Sequence, residues 1–135
     1  MAVDLSGRTA LVTGGSRGIG KACCLLLAKA GARIAVNYAT NHKRAEETVQ
    51  ELQQITKDNT DVLSFQADVS DRESVDRLVD EVTDQLGPID ILINNAGIFD
   101  YVSHTDTTPD LWDRTLATNL TSAFLLTWAV KESMI

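Results

Sequence analysis

Four short runs of apolar and β-branched residues alternate with longer stretches that have helical periodicity. A continuous apolar run bounded by turn residues is typical of a strand that is buried on both faces, as in a parallel sheet. Parallel strands need long crossover connections, which helices supply. The alternation therefore predicts an α/β fold with right-handed crossovers. The predicted strands span residues 9–13, 33–38, 62–66 and 89–93.

The first three helices are predicted from apolar spacing and from residues that start or stop helices. A helix over residues 19–30 ends at Gly31, and Asn41 caps a second helix over roughly residues 43–56. Ser70 is predicted to cap the third helix, with Glu73 completing a capping box. That helix ends before Pro88.

The chain is predicted to be helical from Pro109 to its end. Together with the four strands, this pattern indicates a Rossmann-type doubly wound sheet in three α/β/α layers, incomplete at four strands, within a single domain over residues 1–135. One side of the last helix carries large apolar residues, namely Trp112, Leu116, Leu120, Phe124 and Trp128.

Charge and composition exclude several classes of partner. The net charge of −7 argues against nucleic acid and against an anionic membrane, since both need a basic face. We find no segment that could span a bilayer and no signal peptide, so we predict a cytoplasmic protein. Adjacent Cys23 and Cys24 are predicted to be buried structural thiols. With no CxxC and only two histidines, no metal site is predicted.

Residues 13–20, Thr-Gly-Gly-Ser-Arg-Gly-Ile-Gly, lie between a predicted strand and a predicted helix. Glycines at 14, 18 and 20 lack the Cβ atoms that would block a sharp turn, a bound pyrophosphate and close helix packing. The free N–H groups at the start of the helix would then face phosphates. The alternative is a tight strand-to-helix turn with no ligand.

The spacing T-G-x-x-x-G-[IL]-G resembles the fingerprint of the short-chain dehydrogenase/reductase family. Within that family the sequence is similar to the 3-oxoacyl-[acyl-carrier-protein] reductases. Three more motifs follow in the family's order, namely Asp68-Val69, Asn94-Asn95-Ala96-Gly97 and Asn119. The resemblance implies an adenine contact, a cofactor-cleft lining and a catalytic asparagine, respectively. Taken singly, Asp68 could be a solvated turn residue, Asn94 and Asn95 turn formers, and Asn119 a surface residue.

The residues after the second predicted strand favour NADP(H) over NAD(H). Enzymes that use NAD usually carry an acid there, whereas this chain has Asn37-Tyr38-Ala39-Thr40. Arg17 adds a guanidinium that suits a 2′-phosphate, although it could simply face solvent. The predicted cofactor-binding residues are Gly14, Gly15, Ser16, Arg17, Gly18, Ile19, Gly20, Asn37, Tyr38, Ala39, Asp68, Val69, Asn95, Ala96 and Gly97.

The family's catalytic Y-x-x-x-K pair has no match, because Tyr38 and Tyr101 lack a lysine four residues later. Asn119 is the one predicted catalytic residue. We therefore expect an N-terminal, cofactor-binding part of an oxidoreductase that acts on a small carbonyl or alcohol substrate and is inactive alone. The alternatives are a non-catalytic dinucleotide-binding module, a partner subunit and a non-functional fragment. A homo-oligomer through the last helix is also predicted, because that helix often packs between subunits in the family.

Overall fold

The computed structural model, which describes residues 2–135, contains one four-stranded sheet with the order β3-β2-β1-β4. Every neighbouring pair is parallel, which confirms the α/β prediction. Two of the strands, β2 and β3, have the predicted bounds. The elements are β1 (Thr9–Val12), α1 (Gly18–Lys29), β2 (Arg33–Tyr38), α2 (His42–Gln53), β3 (Val62–Gln66), α3 (Arg72–Leu86), β4 (Ile91–Ile93), α4 (Pro109–Leu116), a π-helical turn (Ala117–Thr121) and α5 (Ser122–Met134).

Two apolar layers cover the two faces of the sheet. Side chains alternate between faces along a strand, so Leu11 faces one layer while Ala10 and Val12 face the other. On one side Leu126 of α5 packs with residues of α3, and on the other Leu52 of α2 packs with residues of α1. The result is a three-layer α/β/α arrangement that buries both faces of the central strands.

The order of the strands reverses at β1. The chain runs outward through β2 and β3, then crosses back to place β4 on the other side of β1. In open parallel sheets a ligand crevice forms outside the carboxyl ends of the strands at such a reversal. The segments that leave β1 and β4 there are residues 13–17 and 94–98, which carry two of the motifs singled out in the sequence.

Several helix ends differ from the prediction. The N-cap of α3 is Asp71, whose carboxylate accepts from the Ser74 N–H at 2.9 Å, so the predicted capping box at Ser70 and Glu73 is wrong. Ser70 instead donates its hydroxyl to Asp68. The predicted cap at Asn41 is confirmed, because its side chain accepts from the Arg44 N–H.

Two other expectations need correction. The fourth strand begins at Ile91, because the Asp90 carboxylate accepts from the Thr9 N–H at 2.9 Å before the ladder starts. Cys24 is fully buried, but Cys23 on the neighbouring face is only half-buried. Within residues 2–135, no helix is both long and apolar enough to traverse a bilayer, and no three His, Cys, Asp or Glu side chains gather as a metal site would require.

Candidate functional site

The glycine loop, residues 13–20, turns sharply from β1 into α1. Gly14 and Gly18 have φ of +59° and +54°, a conformation that side chains with a Cβ rarely adopt. Gly20 is required by packing, since a Cβ there would lie 2.2 Å from the Gly14 carbonyl oxygen. The predicted reasons for these three glycines therefore hold for the turn itself and for its packing against the helix.

Five consecutive backbone N–H groups, those of residues 16–20, have no acceptor anywhere in residues 2–135. The first N–H of α1 that is satisfied belongs to Lys21, which donates to the Arg17 carbonyl at 3.1 Å. Unpaired N–H groups at a helix start carry partial positive charge, and an anion stabilises them. This run is the strongest feature of the site.

The helices α2, α3 and α4 each begin with a side-chain N-cap. Asn41, Asp71 and Thr108 accept from backbone N–H groups at the starts of α2, α3 and α4. Arg17 occupies the equivalent position of α1, with extended backbone and no side-chain cap, and the first turn holds no acidic residue. The first turn of α1 is therefore open to an external anion.

Asn95 joins the glycine loop to the end of β4. Its side-chain amide donates to the carbonyls of Thr13 and Gly14 at 3.0 and 3.1 Å. The Thr13 hydroxyl in turn accepts from the N–H groups of Asn95 and Ala96 at 3.0 and 2.9 Å. These four bonds fix both sides of the crevice relative to each other. Asn94, by contrast, reaches Thr127 of α5 at 3.4 Å.

Asn37 lies beneath the loop rather than at its surface. It is 2% exposed, and its amide donates to the Phe65 and Ala67 carbonyls while its oxygen accepts from the Gly14 N–H at 3.3 Å. Both amide hydrogens are thus used within the protein. Sequence reasoning missed this supporting role, although an asparagine within an apolar strand is itself a signal of a buried polar network.

The rim after β2 has no carboxylate among residues 37–40. Tyr38 is buried and its hydroxyl lies 2.6 Å from His42 Nδ1, whereas Ala39 is exposed. In the glycine loop, Arg17 and Ile19 are exposed, with Ile19 77% exposed. Ile19 is thus an exposed apolar side chain next to the unpaired N–H groups, where it could pack against a ligand.

Asp68 and Val69 follow β3 at the same edge of the sheet. Asp68 is exposed, and one carboxylate oxygen accepts from both the N–H and the hydroxyl of Ser70. Val69 is 5% exposed and joins the apolar layer. The Asp68 carboxylate is therefore exposed at the carboxyl edge of the sheet, whereas the Val69 side chain belongs to the apolar layer beneath.

Asn119 lies in the π-helical turn, which sequence periodicity had not predicted. Its side chain pairs twice with the Ile98 backbone, accepting from the N–H at 2.7 Å and donating to the carbonyl at 2.9 Å. A Cβ on Gly97 would lie 3.3 Å from Asn119 Oδ1. The Asn119 amide thus fixes the segment that leaves β4, next to the crevice.

Comparison with known proteins gives a consistent result. The family model for short chain dehydrogenases matches residues 8–135. An acetoacetyl-CoA reductase of Rhizobium meliloti is 45% identical over 127 residues, covering 94% of this chain and 49% of the relative. A 3-oxoacyl-[acyl-carrier-protein] reductase of Synechocystis is 38% identical over 131 residues, covering 97% and 52%.

A solved structure shares the fold as well. A short chain dehydrogenase of Burkholderia cenocepacia in complex with NADP superimposes with a TM-score of 0.88 at 38% identity, over 96% of this chain and 52% of that one. The chain spans about half the length of the curated relatives that it matches. The glycine loop, the Asn95 junction and Asn119 all fall inside the matched residues.

Proposed function

Since this chain belongs to the short-chain dehydrogenase family, we propose that it forms the dinucleotide site of an NADP(H)-dependent oxidoreductase. Bound nicotinamide supplies or accepts a hydride, which interconverts a carbonyl and an alcohol. The residues of this chain hold the cofactor and orient it. The loop after β4, from Phe99 to Thr108, is proposed to border the substrate.

The five unpaired N–H groups of residues 16–20 carry this proposal. A diphosphate bears several acceptor oxygens and negative charge, so it satisfies such a run and gains from the helix dipole. A Cβ at Gly18 would meet nothing within 4 Å, so the bare backbone there leaves space for a ligand to approach closely. The geometry of the loop therefore fits the group.

A preference for NADP(H) follows from charge at the rim. A carboxylate after β2 would repel a 2′-phosphate, and residues 37–40 have none. The exposed Arg17 guanidinium can pair with such a phosphate through charge-assisted hydrogen bonds. The NADP complex of the Burkholderia relative supports the same choice.

We also propose that Asn119 contributes to catalysis in the way that the family's asparagine does. Both polar groups of its side chain are bonded to the Ile98 backbone, so its contribution would be indirect, in helping to hold a water as the family resemblance implies. The substrate would be a small carbonyl or alcohol compound.

The last helix supplies the proposed surface for a homo-oligomer. The exposed stripe runs along α4, the π-helical turn and α5, and consists of Trp112, Leu116, Leu120, Phe124 and Trp128, each at least 38% exposed. Phe124 and Trp128 stack with their ring centroids 5.5 Å apart, which makes a flat apolar patch. Contiguous patches of this kind mark protein interfaces.

Calorimetric titration of the purified chain with NADPH and NADH tests the cofactor assignment. We expect NADPH to bind more tightly than NADH. Arg17→Ala should reduce the ratio of the two dissociation constants by roughly tenfold, because a charge-assisted hydrogen bond to the 2′-phosphate is lost. Arg8→Ala is the matched control, because Arg8 precedes β1 at the opposite end of the sheet, where it pairs with Asp90. Equal affinities in the unaltered chain would refute the NADP(H) preference, and no binding of either would refute the dinucleotide site.

A further inference from the structure

Thr48 is a buried polar residue on the core face of α2. It is 1% exposed, among the apolar Ala45, Val49 and Leu52 of the same helix. A buried hydroxyl in that setting is costly unless it is hydrogen-bonded. Its hydroxyl donates a hydrogen bond to the Ser16 carbonyl in the glycine loop, at 2.7 Å, and not to a carbonyl of its own helix.

This bond determines the direction of an N–H group on the other side of the loop. In a trans peptide the carbonyl and the following N–H point in opposite directions, and residues 2–135 contain no cis peptide. With the Ser16 carbonyl held toward α2, the Arg17 N–H points away from it. That N–H belongs to the unpaired run of residues 16–20.

The preceding peptide is held in a similar way. The Cys24 thiol of α1 lies 3.8 Å from the Gly15 carbonyl oxygen and donates to it. Burial raises the pKa of Cys24 to about 12, so the thiol keeps its proton at neutral pH. Of the two inward contacts, the one from Thr48 is the shorter and has the stronger donor.

We propose that Thr48 is a positioning residue for the dinucleotide diphosphate, acting through the Ser16–Arg17 peptide and not by contact with the ligand. The proposal rests on the dinucleotide site proposed above. It extends that site to a helix which the glycine-loop fingerprint does not include. It assigns α2, which follows β2, a role in the geometry of a loop that precedes β2.

The test compares Thr48→Val with Thr48→Ser, using NADPH and adenosine as ligands. Valine keeps the shape of threonine but removes the donor, whereas serine keeps the donor. We expect Thr48→Val to weaken NADPH binding about tenfold and Thr48→Ser to restore it. The affinity for adenosine, followed by NMR, should change less than twofold, because that ligand has no phosphate to contact the glycine loop or Arg17.

A second readout does not depend on a ligand. In the free protein, the amide resonance of Arg17 should shift in Thr48→Val and stay near its original position in Thr48→Ser. Thr56→Val is the matched control, since the Thr56 hydroxyl reaches only Gln53 near the end of α2. If Thr48→Val fails to fold, as seen by circular dichroism, Thr48→Ala takes its place with the same expectations.

The outcomes separate this inference from the proposed function. If the unaltered chain does not bind NADPH, the dinucleotide site itself is refuted, and the inference with it. If the unaltered chain binds NADPH and Thr48→Val binds it equally well, only the role of Thr48 is overturned. If Thr48→Val lost affinity equally for both ligands, Thr48 would have a general structural role, and the proposed positioning role would also be overturned.

Discussion

The Cys24 thiol lies at the point where α1, the glycine loop and β2 meet. It is fully buried, and a Cβ added to Gly15 would lie 3.2 Å from its sulfur and 3.3 Å from Val36 Cγ1. Even one methyl group added at Gly15 would make closer contact with both side chains than is usual. Cys24 therefore packs as a small apolar side chain and contributes a weak donor to the loop.

The raised pKa of Cys24 makes stability depend on pH in the alkaline range. Burial moves the pKa from 9.0 to about 12, so below pH 9 the thiol is protonated in both the folded and the unfolded chain. Between pH 9 and 12 only the unfolded chain releases the proton, and the free energy of unfolding falls. Between pH 8 and pH 10.5, the free energy of unfolding measured by urea denaturation should fall more in the unaltered chain than in Cys24→Ala. Parallel falls in the two proteins would contradict this.

The candidate site could be predicted from sequence only where a residue acts through its backbone or through a known motif. Gly14, Gly18 and Gly20 were found because a sharp turn and close packing leave glycine as the choice. The buried support of the loop by Asn37 and Thr48 was not found, since it depends on which carbonyls the fold brings within reach. Such contacts span 23 and 32 residues, and no local pattern encodes them.

At the scale of elements, the start of α3 shows how adjacent polar residues compete for one position. Ser70 and Asp71 are both good N-caps, but the Ser70 hydroxyl is engaged by Asp68. Asp71 then becomes the cap, and its hydrogen bonds from Ser74 lower the pKa of its carboxyl group. The hydrogen bond between Ser70 and Asp68, just before the helix, thus determines which residue caps α3.

We expect Asp71→Ala to destabilise the protein at neutral pH more than Ser70→Ala does. The lowered pKa means that the Asp71 contribution is present above its ordinary pKa of 3.8 and is lost as the pH falls below that value. The difference in thermal midpoint between Asp71→Ala and the unaltered chain should therefore be clear at pH 7 and shrink near pH 3. A greater effect of Ser70→Ala would show that the cap is misassigned.

The sequence was most informative for elements bounded by turn residues and least informative inside the last helix. The bounds of β2 were correct because Gly31 and the polar residues after Tyr38 delimit an apolar run. The π-helical turn at Ala117–Thr121 was not foreseen, since apolar spacing continues through it. What fixes that turn is tertiary: Asn119 bonds to the Ile98 backbone, 21 residues earlier.

For the molecule as a whole, the two sides of the last helix have different environments. Leu126 and Val130 are fully buried against the sheet, while Phe124 and Trp128 on the other side are 60% and 61% exposed. The net charge of −7 would keep copies apart unless apolar contact outweighs the repulsion. Each large aromatic side chain that becomes buried contributes roughly 1.5–3 kcal/mol, so a few of them on each copy can do so.

Sedimentation of the chain between about 1 and 100 μM tests this balance, over a range in which dimers of ordinary affinity form. We expect the mass to rise toward a dimer, and a Phe124→Glu, Trp128→Glu double variant to remain monomeric, because it removes the stacked pair and adds like charges to a facing copy. The control is Val3→Glu, which changes another exposed apolar residue outside the stripe and should still dimerise. Since the stripe lies opposite the buried side of α5, the double variant should bind NADPH as the unaltered chain does. A monomer at every concentration would leave the stripe without a role in self-association and would refute the proposed oligomer of this chain.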